Sequence, residues 1–403
     1  MKIGLFIFAS PLHKHEGSIY YDDAAHQNTV ELCNSIFDKI IIVARCREVL
    51  KHNLVHKSLN DTRALLVLEL PDFGIGGYKG WYNFFRLFFS PALQNSLAAL
   101  FKHADFIYTE APSLEGLLST VIAMRSGRSL TFETRGEVLF NQDYMLQRFG
   151  NIGFLYAKVF EWIYTAIRRK SLAGLFVSPT MMLRYSLSNT YQESISDVQL
   201  PENLPDRSRH FTTPASRFIY VGHLEKVKRV DLILRAFHLV RDILPTNWKF
   251  DIIGDGPEMH ELQALAKQLE VHANVQFHGR LTRGPSLFEF YSKADTLLMA
   301  STTEGASRTL IEGMAYGLPI ISTKVGTAPD LLEDCALVAV DDTPKYAAVL
   351  ARVATDPTIL TKLSAQNWKR AQNFQPALLY EKRKNFFLKA VELSIEERNM
   401  QNN

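Results

Sequence analysis

Two α/β domains, each a parallel β-sheet covered by helices on both faces, are what this 403-residue sequence predicts, and three observations lead there. The first is length, since a chain of this size exceeds one ordinary hydrophobic core and divides most naturally in two. The second is alternation: short apolar runs rich in β-branched and aromatic residues alternate with longer segments of helical period. Strands that are apolar on both faces and separated by helices belong to parallel sheets buried on both sides. The third is a break near the middle. "LPENLPDRSRHFTTPASRF" (200–218) carries prolines at 201, 205 and 214 and has little periodicity, so it reads as the linker.

The first series of strands is expected at 2–8, 40–43, 64–69, 106–109, 130–133 and 174–177, and the second at 217–221, 249–253, 275–277, 296–299 and 319–322. Each series has the pattern of a Rossmann-like domain, giving domains over residues 1–205 and 206–380. Residues 381–403 read as a final amphipathic helix with a fraying Gln-Asn-Asn end. Two such domains face to face leave a deep cleft lined by the carboxyl ends of their strands, where ligands of open α/β sheets bind.

Composition narrows the function. A hydrophobic content of 47% with 22% charged residues describes a soluble globular protein, and 45 basic against 42 acidic residues gives no case for nucleic acid. Cys33, Cys46 and Cys335 are few and odd in number, as in a reducing compartment, and argue against a disulfide framework or a zinc site. The apolar run 3–9 is followed by no convincing cleavage site, so it reads as a buried first strand rather than a signal peptide. No stretch approaches the roughly eighteen apolar residues of a membrane span, and a cytoplasmic location is expected.

The sequence has no G-x-x-x-x-G-K-[ST], and in "GIGGYKG" (74–80) Lys79 takes the place of the third glycine of a dinucleotide fingerprint, so that stretch reads as a loop. No His and Cys cluster has metal-ligand spacing and no D-x-D occurs, so neither metal nor cofactor is expected. A phosphate would be met by basic side chains and helix amino termini. "FIYVGHLEKVKRVDLILRAF" (218–237) supplies strand, Gly222 turn, a basic loop with Lys226, Lys228 and Arg229, and an amphipathic helix; by itself it is also an ordinary exposed basic loop. "FDIIGDGPE" (250–258) repeats the architecture, with Gly254 and Gly256 allowing backbone to approach a ligand closely.

The sharpest segment is "ADTLLMASTTEGASRTLIEGMAYGLP" (294–319). Its strand delivers 301–307 to the carboxyl edge, Ser307 is placed to cap a helix over 308–316, Gly317 follows and Pro319 stops it. Glu304 then lies in the loop and Glu312 one turn into the helix, both near the positive end of the helix dipole. Carboxylates there can accept hydrogen bonds from hydroxyls while the amides of Gly305, Ala306 and Ser307 hold a phosphate. A ligand with hydroxyls on both sides of a diphosphate, a nucleotide-sugar, would satisfy every group. Alone, two such acids make an ordinary surface pair; the strand end, glycine and cap favour a site.

From Phe218 to about Leu332 the chain resembles the nucleotide-binding domain of GT-B glycosyltransferases, specifically the large retaining family four, the glycosyl transferases group 1. The matching string is "VGHLEKVK", "IIGDGPE", "VQFHGRL" and "ADTLLMASTTEGASRTLIEGMAYGLPIISTKVG", in which Glu304 and Glu312 meet the E-x-seven-E pattern. The amino-terminal half resembles the family less closely, through its first strand and loop, "DFIYTEAPSLEG", "FETRGE", "VSP" and "LPEN". The resemblance implies a GT-B fold and transfer, by a hexosyltransferase-type enzyme, from a UDP- or GDP-sugar to a saccharide or lipid-linked acceptor. It implies Glu304 at the donor sugar, Glu312 at the ribose, Lys228 at the diphosphate, and Arg280 and Leu281 near the base. Asn203 matches the asparagine that family members carry between the domains.

Several positions depart from the family pattern. His223 stands where an arginine is usual, Arg229 where a glycine is, and Thr327 where the second glycine of "VGG" is. On the acceptor side Thr109 or Glu110 replaces a familiar histidine, Arg135 replaces another, and Gly17 remains of a glycine pair. Glu137 completes the acceptor-side candidates, and Glu304, Lys228 and His223 are the catalytic ones. Retention with front-face transfer is implied, the departing phosphate helping to deprotonate the acceptor, in surface polysaccharide or lipopolysaccharide assembly.

Two stretches, 78–89 and 144–170, pair aromatic with basic residues as membrane-surface segments do, which would place the protein at the inner face of the plasma membrane. The second also reads as core-facing helix through Ile152, Leu155, Val159, Ile163 and Ile167. A catalytically silent nucleotide-sugar-binding subunit and a sugar-nucleotide epimerase of the same fold stay open at this point. A dehydrogenase is disfavoured, because no dinucleotide fingerprint follows the first strand.

Overall fold

The structure is a computed structural model and describes residues 1–16, 18–21, 24–48, 65–70, 85–86, 88–135, 142–187, 190–198, 200, 204–205 and 208–402. It divides the chain into two units, residues 1–197 with 380–403 and residues 198–379.

The strands of the first unit are β1 (Ile3–Ile7), β2 (Leu12–His15), β3 (Ser18–Tyr20), β4 (Lys39–Glu48), β5 (Leu65–Leu70), β6 (Phe106–Glu110), β7 (Leu130–Thr134), β8 (Ser171–Phe176) and β9 (Tyr191–Ser194). They run in the order β3-β2-β4-β1-β6-β7-β8-β9, with β5 paired to β4. Among the described residues only the β2–β3 pairing is antiparallel. The six strands expected from sequence are all present; the β2–β3 hairpin and β9 are additions at the edges. The helices are α1 (Ala24–Cys33), α2 (Pro91–His103), α3 (Leu114–Arg125), α4 (Gln142–Arg169) and α5 (Pro179–Tyr185). Ser90, Ser113 and Ser178 cap α2, α3 and α5 by accepting bonds from Leu93, Gly116 and Met181 amides, and Pro91 and Pro179 open two of them.

The second unit holds β10 (Arg217–Val221), β11 (Lys249–Ile253), β12 (Val275–Gly279), β13 (Thr296–Leu298), β14 (Ile320–Thr323) and β15 (Leu337–Val338) in a fully parallel sheet ordered β12-β11-β10-β13-β14-β15. Its helices are α6 (Val230–Val240), α7 (Met259–Gln268), α8 (Pro285–Lys293), α9 (Arg308–Ala315), α10 (Ala328–Leu331), α11 (Thr343–Thr355) and α12 (Pro357–Ala371), and α13 (Pro376–Asn402) carries the chain back to the first unit. Alternate residues of one strand feed opposite faces. Phe218 and Tyr220 join one core with Phe237 and Phe250, and Ile219 joins the other with Leu297, Leu310 and Ile320.

Three features differ from the sequence reading. The stretch read as a linker packs onto the second unit, because Arg209 caps two helix ends: its Nε donates to Tyr316 O (2.9 Å) and its guanidinium also reaches the carbonyls of Tyr291 (2.7 Å) and Ala294. Helix α4 is two helices joined at Gly150, whose φ of 63° and ψ of −152° are not helical. All five stripe residues lie beyond it: Ile163 and Ile167 are buried, whereas Ile152 is 81% and Leu155 65% exposed, so the core-facing stripe holds only for its second half. The C-terminal helix is part of the first unit, with Phe387 against Phe106 and Tyr108 and Arg398 paired to Asp105 at 2.5 Å. The "GIGGYKG" segment and most of 78–89 lie outside the described residues.

The anchor of α13 is a buried charge pair. Arg383 Nη2 donates to Glu133 Oε2 at 2.7 Å, Tyr108 OH donates to the same oxygen at 2.5 Å, and Arg135 Nε lies 3.5 Å from Oε1. Burial pushes the Glu133 carboxyl up, but Arg383 and Arg135 outweigh it and hold the group below its ordinary value. Removing one partner of a buried pair strands the other. Glu133→Ala is therefore expected to cost about 3–5 kcal/mol of unfolding free energy, read from the urea midpoint. Because the folded-state value is depressed, the stability Glu133 supplies is present above the ordinary carboxylate range and is lost as pH falls below it. The variant's deficit should accordingly shrink in acid, and a deficit that is small at neutral pH, or unchanged in acid, refutes the account.

Candidate active site

In the second unit the loops that follow β10, β11, β12, β13 and β14 share the carboxyl edge of one parallel sheet. They are packed against one another before any ligand is considered. Gly222 N donates to Ile253 O (3.0 Å), Leu224 N to Asp255 O (2.9 Å), Gly254 N to Gly279 O (2.9 Å) and Glu258 N to Leu224 O (3.0 Å). A Cβ on Gly254, whose φ is +151°, would stand 1.8 Å from Gly222 O, and one on Gly256 would stand 2.4 Å from Leu224 O. Loop meeting loop thus by itself leaves no room for a Cβ at either glycine.

The departures at 229 and 327 have backbone explanations. Arg229 is left-handed (φ 49°, ψ 42°), a conformation that glycine takes at no steric cost, and its guanidinium is engaged by Asp231 (2.9 Å) and Asp341. Thr327 has φ −83°, which any residue adopts, so no glycine is needed there. The demand falls on Gly326 instead, with φ +54° and room for no Cβ, since one would lie 2.7 Å from Glu304 Cβ.

Glu304 sits in the loop after β13, and its Oε1 accepts from Lys228 Nζ (2.7 Å) and Ser301 Oγ (2.6 Å). Lys228 comes from the short 3₁₀ turn Lys226–Lys228 after β10, and Thr302 N donating to Val227 O (2.8 Å) fastens the two loops together. His223, in the same loop, is exposed, with Nε2 3.4 Å from Glu225. Beneath them Tyr220 donates to His223 O (3.0 Å), and burial, then the nearby Glu304 charge, push its hydroxyl well above the ordinary value.

Glu312 lies on α9, whose first turn is capped by Ser307 Oγ accepting from Leu310 N. Gly305 and Ala306 lead into that cap. A Cβ at Gly313 would meet Leu297 at 2.5 Å, so α9 packs close on the sheet and carries Glu312 down with it. The carboxylate is only 4% exposed. Arg283 Nε donates to its Oε1 at 2.7 Å and Tyr291 OH to its Oε2 at 3.1 Å. Burial, then the Glu312 charge, holds the Tyr291 hydroxyl protonated far above its ordinary range. Arg280 is exposed and Leu281 half-buried, directly after the left-handed Gly279 (φ +70°). Arg283 and Tyr291 are site residues that sequence reasoning missed; Ser301 lay in the segment it delivered to the carboxyl edge but was given no role.

In the first unit Thr109 and Glu110 end β6 and both are buried. Glu110 Oε1 meets His26 Nε2 at 2.7 Å and Arg135 Nη2 at 3.0 Å, while Oε2 accepts from Ala9 N at 2.8 Å. Burial works to raise its carboxyl, but Arg135, His26 and the Ala9 amide together hold it well below the usual range, which makes it a poor proton acceptor. His26, stacked on Phe8 with ring centroids 4.3 Å apart, was not foreseen. Gly17, Glu137 and Asn203 lie outside the described residues.

Residues 206–373 match the family model described as Glycosyl transferases group 1. Protein CapJ of Staphylococcus aureus is 22% identical over 354 residues, covering 86% of this chain and 85% of that protein. N-acetyl-alpha-D-glucosaminyl L-malate synthase of Bacillus anthracis is 31% identical over 115 residues, only 28% of this chain and 29% of that one. Among solved structures, the apo form of the lipopolysaccharide outer core galactosyltransferase WaaB superposes with a TM-score of 0.66 at 15% identity, over 96% of this chain and 99% of that chain. Anabaena HepE in complex with UDP gives 0.65 at 14%, over 96% and 100%.

Two parallel-sheet units matching such structures end to end define a GT-B fold. The family match covers the stretch that holds Lys228, Glu304 and Glu312, so residues 206–373 carry a group 1 glycosyltransferase domain.

Gly254→Ala tests the loop packing. The methyl group would have to displace Gly222 O from 1.8 Å. A loss of about 1–3 kcal/mol or more is expected, seen as a lower Tm with nucleotide binding weakened in parallel. Unchanged stability would show that the loops are not locked together.

Proposed function

We propose that this protein transfers a glycosyl group, with retention at the anomeric carbon, from a nucleotide-sugar to a hydroxyl of a saccharide or lipid-linked acceptor, in the assembly of a surface polysaccharide or glycoconjugate. The observation that carries the reading is the pair of carboxylates at the start of α9, each countered by a basic side chain from a neighbouring loop: Lys228 on Glu304 and Arg283 on Glu312. Structures of HepE with UDP and glucose and with UDP-glucose support a nucleotide-sugar donor for this fold, and the lipopolysaccharide 1,6-galactosyltransferase of Escherichia coli and amylovoran biosynthesis glycosyltransferase AmsD of Erwinia amylovora support the pathway class.

In this reading Glu304 accepts hydroxyls of the donor sugar, Glu312 those of the ribose, and the amides of Gly305 to Ser307 with Lys228 meet the diphosphate. The bond from the anomeric carbon to the phosphate oxygen breaks while the acceptor oxygen attacks from the same face. The acceptor's proton passes to the leaving phosphate, whose developing charge Lys228 and the helix amides stabilise without a metal ion. His223, exposed in the same loop as Lys228, offers a further hydrogen bond to that phosphate. Glu110 is excluded as a base by its buried ion pairs; with Thr109 and Arg135 it shapes the acceptor side.

Thermal unfolding with UDP-, GDP-, ADP- and CMP-sugars is the direct test, and a UDP- or GDP-sugar is the expected ligand. At about 100 times its dissociation constant the donor should add roughly 2.7 kcal/mol to the folded state, and Glu312→Ala and Lys228→Ala should lose most of that shift. No shift with any donor would sink the reading and favour a silent subunit. Retention is then read from the anomeric configuration of the glycoside formed.

A lipid-linked acceptor is favoured by α4. Ile152, Leu155 and Trp162 stand exposed near the exposed basic residues Lys158 and Arg169, an arrangement suited to an anionic interface. A Campylobacter jejuni relative is named for transfer onto an undecaprenol-linked saccharide. No helix among the described residues is long and apolar enough to cross a membrane, so the contact would be peripheral. The protein should co-sediment with phosphatidylglycerol vesicles but not with phosphatidylcholine ones, and Ile152→Asp with Trp162→Asp should abolish it; equal recovery of wild type and variant would remove the hypothesis.

A further inference from the structure

The donor reading gives Arg283 no contact with the ligand, yet it holds the most buried carboxylate of the site. Glu312 is 4% exposed, and two donors face it: Tyr291 on Oε2 from below, itself buried, and Arg283 on Oε1 from the loop after β12. The two differ in freedom. Tyr291 is fixed in the core between Leu287, Tyr316 and the sheet, with its ring stacked on Tyr316. The Arg283 side chain is 44% exposed, and its guanidinium rests 5.7 Å from the Phe288 ring centroid on the helix that follows its own loop.

A carboxylate this deep needs either a countercharge or a set of hydrogen-bond donors, since an unpartnered buried charge is strongly destabilising. A ribose diol is neutral and can supply hydrogen bonds but only after the oxygen it needs has been vacated. Of the two present donors only Arg283 reaches water and can leave. We infer that Arg283 is a placeholder: it satisfies Glu312 Oε1 in the nucleotide-free protein and must give up that oxygen when ribose hydroxyls arrive, so that it sets how strongly the site discriminates by ribose. The inference rests on the donor-site reading of Glu312 given above. It makes Arg283 a specificity-determining residue whose removal strengthens, rather than weakens, recognition of the ribose hydroxyls.

The test is a ratio. For whichever of UDP, GDP, ADP and CDP stabilises the wild type most, the dissociation constants of the ribose form and its 2′,3′-dideoxy form are measured by calorimetry in wild type, Arg283→Ala, Arg283→Gln and Glu312→Ala. Both ligands carry the same diphosphate, so any attraction between Arg283 and phosphate cancels in the ratio. Dideoxy binding leaves Arg283 in place, whereas ribose binding displaces it. The ratio of dideoxy to ribose constants should therefore rise about fivefold in Arg283→Ala, which corresponds to about 1 kcal/mol for a half-exposed ion pair. Arg283→Gln, which keeps a donor without the charge, should rise less, and it serves as the test should Arg283→Ala fail to fold. Glu312→Ala should discriminate little.

An unchanged ratio in a wild type that does discriminate overturns the placeholder alone. If both ligands weaken equally in Arg283→Ala, the side chain contacts phosphate and the placeholder is likewise overturned. A wild type that binds a nucleotide without discriminating removes the ribose role of Glu312, and one that binds none removes the donor site; the placeholder falls with either.

Discussion

A carboxylate withdrawn from water must be given a cation or a set of donors, and in the second unit that requirement shapes the whole carboxyl edge of the sheet. Glu304 and Glu312 come from one segment, the loop after β13 and the helix it starts, yet their partners come from two others. Lys228 follows β10, the neighbour of β13, and Arg283 follows β12, two strands further along. Each ion pair closes the ring of loops at a different point. The parallel order β12-β11-β10-β13-β14 is what puts those loops on one edge, because only parallel strands present all their carboxyl ends together.

Backbone contacts make the same ring rigid. Where Gly222, Gly254 and Gly279 meet, each amide or carbonyl is bonded across loops, and at Gly254 and Gly326 no Cβ fits. That rigidity serves electrostatic recognition: groups held in place before a diphosphate arrives need not reorganise when it does. It also explains why sequence departures in this region are tolerated unequally. Thr327 is free to vary because its backbone is ordinary, whereas Arg229 is a non-glycine in a left-handed turn whose side chain is fixed by two aspartates. The charge at Arg229 is thereby committed to the turn, which leaves Lys228 as the basic side chain of that loop directed to the site.

What the sequence disclosed was local. Strands apolar on both faces, the Ser307 cap with Gly317 and Pro319 after its helix, and the spacing of Glu304 and Glu312 all express forces acting within a few residues. What it concealed was pairing between distant positions. Arg209 resembles a linker residue until the ends of α8 and α9 are beside it, and Arg383 resembles a surface residue of an amphipathic helix until Glu133 is beneath it. Arg283, 29 positions before Glu312, was hidden for the same reason. The α4 stripe failed differently: its five residues all follow the Gly150 break on one helical segment, yet Ile152, Leu155 and Val159 face solvent and only Ile163 and Ile167 reach the core, because periodicity shows a face without showing how much of it is covered.

The two units use the same chemistry to opposite ends, and the difference lies in who can leave. In the first unit Glu133 is held by Tyr108, Arg135 and Arg383, and Glu110 by Ala9, His26 and Arg135. Each carboxylate there has three partners, Tyr108 and His26 among them fully buried, the carboxyls are held below their ordinary range, and the network fixes α13 and the ends of β6 and β7. In the second unit the partners of Glu304 and Glu312 include two long basic side chains that reach solvent. Such a pair contributes little to stability, because water already screens much of its attraction. For that reason a ligand offering hydroxyls and phosphate can exchange with it at small cost. A buried carboxylate held by two donors, one of which can depart into water, is a binding site in waiting, while one held by three donors at once is architecture, and that distinction separates Glu304 and Glu312 from Glu110 and Glu133.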